Sequence, residues 1–163
     1  MNAIDEGHPY INRLVAEHRQ LHALLREMRS EVVYSVGPDE APSFSRVLRV
    51  LGRLNDELER HFKQEEAGGY LDEAVSRRPG LSAEAKRIEG EHKEIRGVVK
   101  RLIDRTANSE PNKQSQFAIE RAFENLCQRI LAHEKAENQV LTEGFGVPIE
   151  CDEGDCPPAT LDF

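Results

Sequence analysis

AEHRQLHALLREM (residues 16–28) and GEHKEIRGVVKRL (residues 90–102) stand 74 residues apart, and LNDELERHFKQEE (residues 54–66) and LCQRILAHEKAEN (residues 126–138) stand 72 apart. Each stretch repeats apolar residues at three- and four-residue intervals, the period of a helix buried along one stripe. Four such helices in two matching halves fit an all-α fold, an up-down-up-down four-helix bundle with an internal two-fold pseudo-repeat. The matched places also keep polar residues: Glu17-His18 with Glu91-His92, and His61-x-x-x-Glu65 with His133-x-x-x-Glu137.

The surrounding sequence supports four long helices. The first begins near Pro9 with Ile11, Leu14, Leu21, Leu25, Met28 and Val32 on one stripe, and Gly37-Pro38 stops it. The second, capped by Ser43, carries Val47, Val50, Leu51, Leu54 and Leu58 and ends near Gly68-Gly69. A short helix is expected over 70–77. The third long helix follows Ser82 with Ile88, Ile95, Val99, Leu102 and Ile103, and the fourth holds Phe123, Leu126, Ile130, Val140 and Leu141 before Gly144 and Gly146 close it. The expected domain spans residues 1–146, followed by an acidic, proline-containing tail over 147–163.

Composition narrows the function. With 163 residues the chain is long enough for one domain with its own core. Twenty-two basic residues against 30 acidic ones, a net charge of −8, argue against nucleic acid as a partner. No basic leader precedes an apolar run and no 18 apolar residues are consecutive, so a cytoplasmic protein without a membrane partner is expected. Of three cysteines, Cys127 reads as a core residue, and Cys151 and Cys156 lie in the tail without a strong metal spacing.

At about 100° per residue, His18 falls among Leu14, Leu21 and Leu25, and His92 among Ile88, Ile95 and Val99. His61 with Glu65, and His133 with Glu137, lie one turn apart on the inward faces of their helices. Burying four imidazoles and two carboxylates is costly unless something pairs them, and a metal pair does so. Two histidines per metal, with both carboxylates bridging, supply four ligands each, and a bridging oxo or hydroxo a fifth; a sixth position is left for a small ligand. Nitrogen and oxygen donors without thiolate suit iron, with manganese or zinc as poorer alternatives. His22, one turn beyond His18 on the flank of the stripe, is a candidate additional ligand. Glu17, Glu66 and Glu91 read as solvated helix-face residues, and His8 as a surface residue. Phe44, Phe62, Phe117, Phe123 and Tyr70 are candidates to wall a small-molecule channel to the centre, and helical core packing accounts for most of them equally well.

The ordered pattern H…HxxxE…H…HxxxE, here His18, His61, Glu65, His92, His133 and Glu137, resembles the hemerythrin-like family, the HHE cation-binding four-helix bundles, over about residues 9–141. The resemblance implies two iron ions bridged by the two glutamates, and chemistry with O2, H2O2 or NO in redox or nitrosative stress, or a role in iron handling. A di-iron oxidoreductase consuming peroxide or NO is one expectation; a non-catalytic sensor, an iron-storage module or reversible O2 binding are the alternatives. The oxygen carriers of the family use a fifth histidine one turn after the helix-three ligand and an aspartate as second bridge. Here Arg96 and Glu137 stand at those places, which resembles the bacterial four-His, two-Glu type.

Overall fold

Proline at the first turn, where its missing N–H costs nothing, opens helix α1 (Pro9–Tyr34). It is followed by α2 (Phe44–Gly68), the short α3 (Tyr70–Arg77), a 3-10 turn (Pro79–Leu81), α4 (Ser82–Asn108) and α5 (Lys113–Phe145). The computed structural model describes residues 9–34, 44–147 and 149. The expected Gly37-Pro38 stop, the Ser43 cap, His8 and the pair Cys151 and Cys156 lie outside the described residues.

Cross-helix pairs fix the packing. Arg53 and Arg60 of α2 donate to Glu27 (2.7 Å) and Gln20 (3.1 Å) of α1, so numbers rise on one helix as they fall on the other. The same antiparallel register joins α2 to α4 through Glu59–Arg96 (3.0 Å) and Glu66–His92 (3.1 Å). Glu91–His133 and Glu94–Arg129 join α4 to α5, and Arg29–Glu124 with Gln116 on the Val32 carbonyl joins α5 back to α1. The cyclic order α1, α2, α4, α5 with every neighbour antiparallel is the expected up-down-up-down bundle.

The helix ends follow local chemistry. Gly69 in the left-handed region (φ 66°) breaks α2 from α3, a conformation a side chain would strain. Asn112 caps α5: its side chain accepts from the Ser115 N–H (2.8 Å), and the Ser115 hydroxyl accepts from the Asn112 N–H (3.1 Å). At the other end the expectation needs one correction. Gly144 does not stop the helix; α5 runs through it to Phe145, and Gly146 (φ 68°) is the C-cap. Gly144 is there for contact, since a Cβ at this position would lie 2.5 Å from the Ala74 Cβ of α3.

All the stripe residues named from the sequence are buried, except Ile103, which packs partly buried against them. They divide into two clusters. The larger gathers Leu21 to Val32, Phe44 to Phe62, Ile95 to Leu102 and Ile119 to Ile130, with Cys127 inside it. The smaller joins Ile11 and Leu14 of α1 to Tyr70, Leu71 and Ala74 of α3, Ala85 and Ile88 of α4, and Val140, Leu141 and Phe145 of α5. In this smaller cluster α3 takes the place of α2, which has ended at Gly68. Val147 and Ile149 pack against the same cluster, and the Ile149 N–H reaches Thr142 Oγ1 at 3.3 Å. Gly144→Ala is expected to destabilise the protein by about 1–3 kcal/mol, because the added methyl must push α3 off α5. Denaturant unfolding checks this, and an unchanged midpoint would contradict the close contact.

Candidate metal centre

Between the two apolar clusters lies a layer of polar side chains. His18, His61, Glu65, His92, His133 and Glu137 are each at most 6% exposed, and every long helix contributes at least one. Helical spacing makes the layer: His61 with Glu65, and His133 with Glu137, sit one turn apart on one face, while His18 and His92 come from the facing helices. The pseudo-repeat is visible in the rings. His18 and His61 meet edge to face with centroids 5.2 Å apart, and His92 and His133 do so at 4.9 Å.

All four imidazoles turn the same atom inward. His61 Nε2 lies 2.6 Å from Glu65 Oε1, and His92 Nε2 lies 2.7 Å from Glu65 Oε2. His133 and His18 present their Nε2 to Glu137 Oε2 at 3.6 and 3.8 Å. One donor atom each from His18, His61, Glu65 and Glu137 falls within a 4.8 Å span, as does one each from Glu65, His92 and His133. Glu65 belongs to both groups. The Nε2 atoms of the four histidines and both oxygens of Glu65 and Glu137 are buried without a hydrogen-bond partner. Eight convergent orphan donors, with no thiolate among them, fit a pair of divalent cations.

The electrostatics show how the layer stands without a cation. Burial opposes charge on His61, but the carboxylates of Glu17 and Glu65 outweigh it and raise its pKa to about 9. Burial lowers His18 to about 4, and lowers His133 as well. Burial also opposes charge on Glu65, yet its contacts with His61 and His92 hold it well below the usual carboxylate range. Glu137, buried and facing the Glu65 charge, is pushed well above it. The two carboxyls are thus pushed in opposite directions, as like charges sharing one buried site are.

The outward Nδ1 atoms correct the reading of Glu17, which is buried, and of Glu91, which is partly so; Glu66 is exposed as expected, yet it too meets a histidine. His61 Nδ1 is 2.7 Å from Glu17 Oε2, His92 Nδ1 is 3.1 Å from Glu66 Oε1, and His133 Nδ1 is 3.2 Å from Glu91 Oε2. A residue next to an inward ligand lies about 100° around the helix, which points it at the seam with the neighbouring helix, and a glutamate is long enough to cross that seam. The signal was present in the repeated Glu-His pairs. His22 does not join the layer: its Nε2 is 2.5 Å from Glu134 Oε2, a pair that ties α1 to α5 and that the sequence reading missed. Arg96 faces outward too, pinned by Glu59 and Glu66 and lying over the Phe62 ring. Of the aromatic residues singled out, Phe62 walls the layer, stacked on His92 at 4.1 Å. Tyr70, whose phenol is pushed up by burial and by the charges of Glu65 and Glu137, belongs to the smaller cluster. Phe44 and Phe123 are core, and Phe117 is 59% exposed, so neither core packing nor a channel wall describes it.

An antiparallel four-helix bundle whose polar mid-layer presents imidazole and carboxylate donors inward is a protein built to hold a cation. Residues 10–143 match the family model described as Hemerythrin, the Hemerythrin HHE cation binding domain. The chain belongs to that family. No curated protein and no solved structure matches it. Among the described residues no helix is long and apolar enough to cross a membrane.

Donation from His61 requires a bare Nε2, and this group, at about 9, is protonated at pH 7. Loading a divalent metal at pH 7 is therefore expected to release at least the His61 proton, with affinity weakening as pH falls below 9. Calorimetric titration with Co(II) in buffers of different ionisation enthalpy counts the protons, and uptake without release would contradict the assignment.

Proposed function

We propose that the chain is a non-haem di-iron protein that reacts with or senses a small oxidant or gas, with O2, H2O2 and NO as the candidates. The observation that carries this reading is the set of eight buried, inward-facing donor atoms without partners. His18 and His61 would hold one iron, His92 and His133 the other, with Glu65 shared by both sets and Glu137 offering its oxygens beside His18 and His133. Bound iron would supply one-electron redox chemistry and an open coordination position.

The rest is what this chain's residues do. Glu17, Glu66 and Glu91 each take the Nδ1 proton of one histidine into a hydrogen bond, which fixes the tautomer with the Nε2 lone pair inward. Phe62 and the flanking leucines keep bulk water out. With all six donors at most 6% exposed, only reagents of two or a few atoms can reach them, which favours O2, H2O2 or NO over an organic substrate. The Arg96 contacts leave no histidine at the position the oxygen carriers use, so redox turnover or sensing is favoured over reversible O2 carriage.

Protein reconstituted with ferrous iron is expected to retain about two irons per chain and to show the visible absorption of a bridged diferric pair after oxidation. Glu65→Ala is expected to lose that absorption. Less than about one iron per wild-type chain would overturn the reading. Consumption of H2O2 or NO by the iron form assigns turnover; tight iron without consumption assigns sensing or storage.

A further inference from the structure

The same six-residue pattern, Arg-x-x-x-Glu-His, occurs as RLVAEH (residues 13–18) and RIEGEH (residues 87–92), 74 residues apart. In both copies the histidine joins the buried layer and the glutamate reaches the next long helix of its own half. Glu17 Oε2 holds His61 Nδ1 at 2.7 Å, and Glu91 Oε2 holds His133 Nδ1 at 3.2 Å. In both, the arginine one turn earlier meets the other carboxylate oxygen: Arg13 Nε lies 3.4 Å from Glu17 Oε1, which Gln64 of α2 also reaches while accepting from Arg13 Nη2 (3.0 Å), and Arg87 Nη1 donates to Glu91 Oε1. The arginine side chains are 61% and 53% exposed and the histidines 2%. Two short relays thus run from solvent to the metal-facing imidazoles, built alike in the two halves.

Neither pair has a stability reason to recur, since exposed ion pairs contribute little. Orientation is the better account. Glu91 is 21% exposed, and without a partner on Oε1 its carboxylate is free to turn toward water, leaving His133 Nδ1 unanchored. An arginine on one oxygen sets the direction of the other. Arg87 is itself fixed, with Glu84 accepting from its Nη2 (2.5 Å) and Nε (3.0 Å).

We propose that Arg13 and Arg87 are positioning residues for the metal centre: each holds a glutamate on the outer nitrogen of a histidine, so a surface charge governs how well a buried imidazole donates. This inference rests on the metal reading of the layer. An exposed guanidinium is screened by water and salt, so its direct repulsion of a bound cation is small and the lost orientation dominates.

The test uses the full-length protein, stripped with chelator and titrated with Co(II), with affinity read from visible absorption and folding from thermal unfolding of the metal-free form. Arg87→Gln is expected to weaken Co(II) binding about three- to tenfold, less than direct loss of an outer carboxylate, with unfolding of the metal-free protein unchanged. Arg87→Lys is expected to recover part of the loss. In a Glu91→Gln background the Arg87→Gln effect should vanish, because the arginine acts only through that carboxylate. Arg13→Gln, alone and with Glu17→Gln, repeats the cycle in the other half. Unchanged affinity in Arg87→Gln and Arg13→Gln, or effects that persist without the glutamates, would overturn the inference while leaving the metal reading intact. A wild-type chain that takes up no Co(II) would overturn both.

Discussion

Six ionisable side chains share one dry layer, and the rest of the molecule is arranged around that constraint. Taking a carboxylate and several imidazoles out of water costs several kcal/mol per charged group unless each charge is answered nearby. The layer by itself answers only in part: Glu65 is ionised against a charged His61, Glu137 keeps a proton, and His18 and His133 stay neutral. That arrangement pairs Glu65 with His61 and His92 at 2.6 and 2.7 Å but leaves Glu137 3.6 and 3.8 Å from the nitrogens of His133 and His18. A bound cation would favour the ionised glutamates and give the inward donors a partner, and so would relieve a frustration that the fold has built in.

The pseudo-repeat carries this design and also breaks it. Both halves supply an edge-to-face pair of histidines and a Glu-His step whose glutamate crosses to the next long helix. They differ behind the remaining two imidazoles. His92 has Glu66 on its Nδ1, whereas the repeat puts the buried Asn138 where a counterpart of Glu66 would stand, and the carboxylate whose charge acts most on His18 is Glu134. The halves also diverge after their second helices: Gly69 turns the chain into α3, which completes the smaller cluster next to the layer, while Gly146 ends α5. The repeat accounts for the positions of the inward polar residues, and these departures make the two sides of the layer chemically distinct.

Most of the fold was legible because helical period and burial coincide here. Leu14, Leu54, Ile88 and Leu126 lie on the stripes that the sequence defines and are fully buried. The six inward polar residues could be found for the same reason, since a histidine at a stripe position breaks an apolar pattern visibly. The repeated Glu-His pairs marked Glu17 and Glu91 as shared by the two halves without giving their role, and nothing marked Glu66, because a glutamate on a helix flank looks the same whether it meets water or a neighbouring imidazole. Its role depends on which helix lies across the seam, which is tertiary information. The same holds for His22, whose flank angle allowed a ligand and whose actual partner, Glu134, is 112 residues away. Gly144 was misread because glycine serves equally to end a helix and to let another backbone approach; only the Ala74 contact distinguishes the two.

The division of the core into two clusters has a further consequence for how a metal would be held. In small zinc modules the ligands come together only when the metal arrives, so binding energy is spent on folding. Here the larger cluster anchors α1, α2, α4 and α5 on one side of the layer, and the smaller one anchors α1, α3, α4 and α5 on the other. The ligand-bearing turns are clamped between two packed regions that contain none of the six ligands. Side-chain direction is then set by three outer carboxylates and by Phe62 stacked on His92, not by the cation. A site organised in this way has its geometry set by the packed fold before any cation enters, unlike a structural staple whose metal supplies the fold.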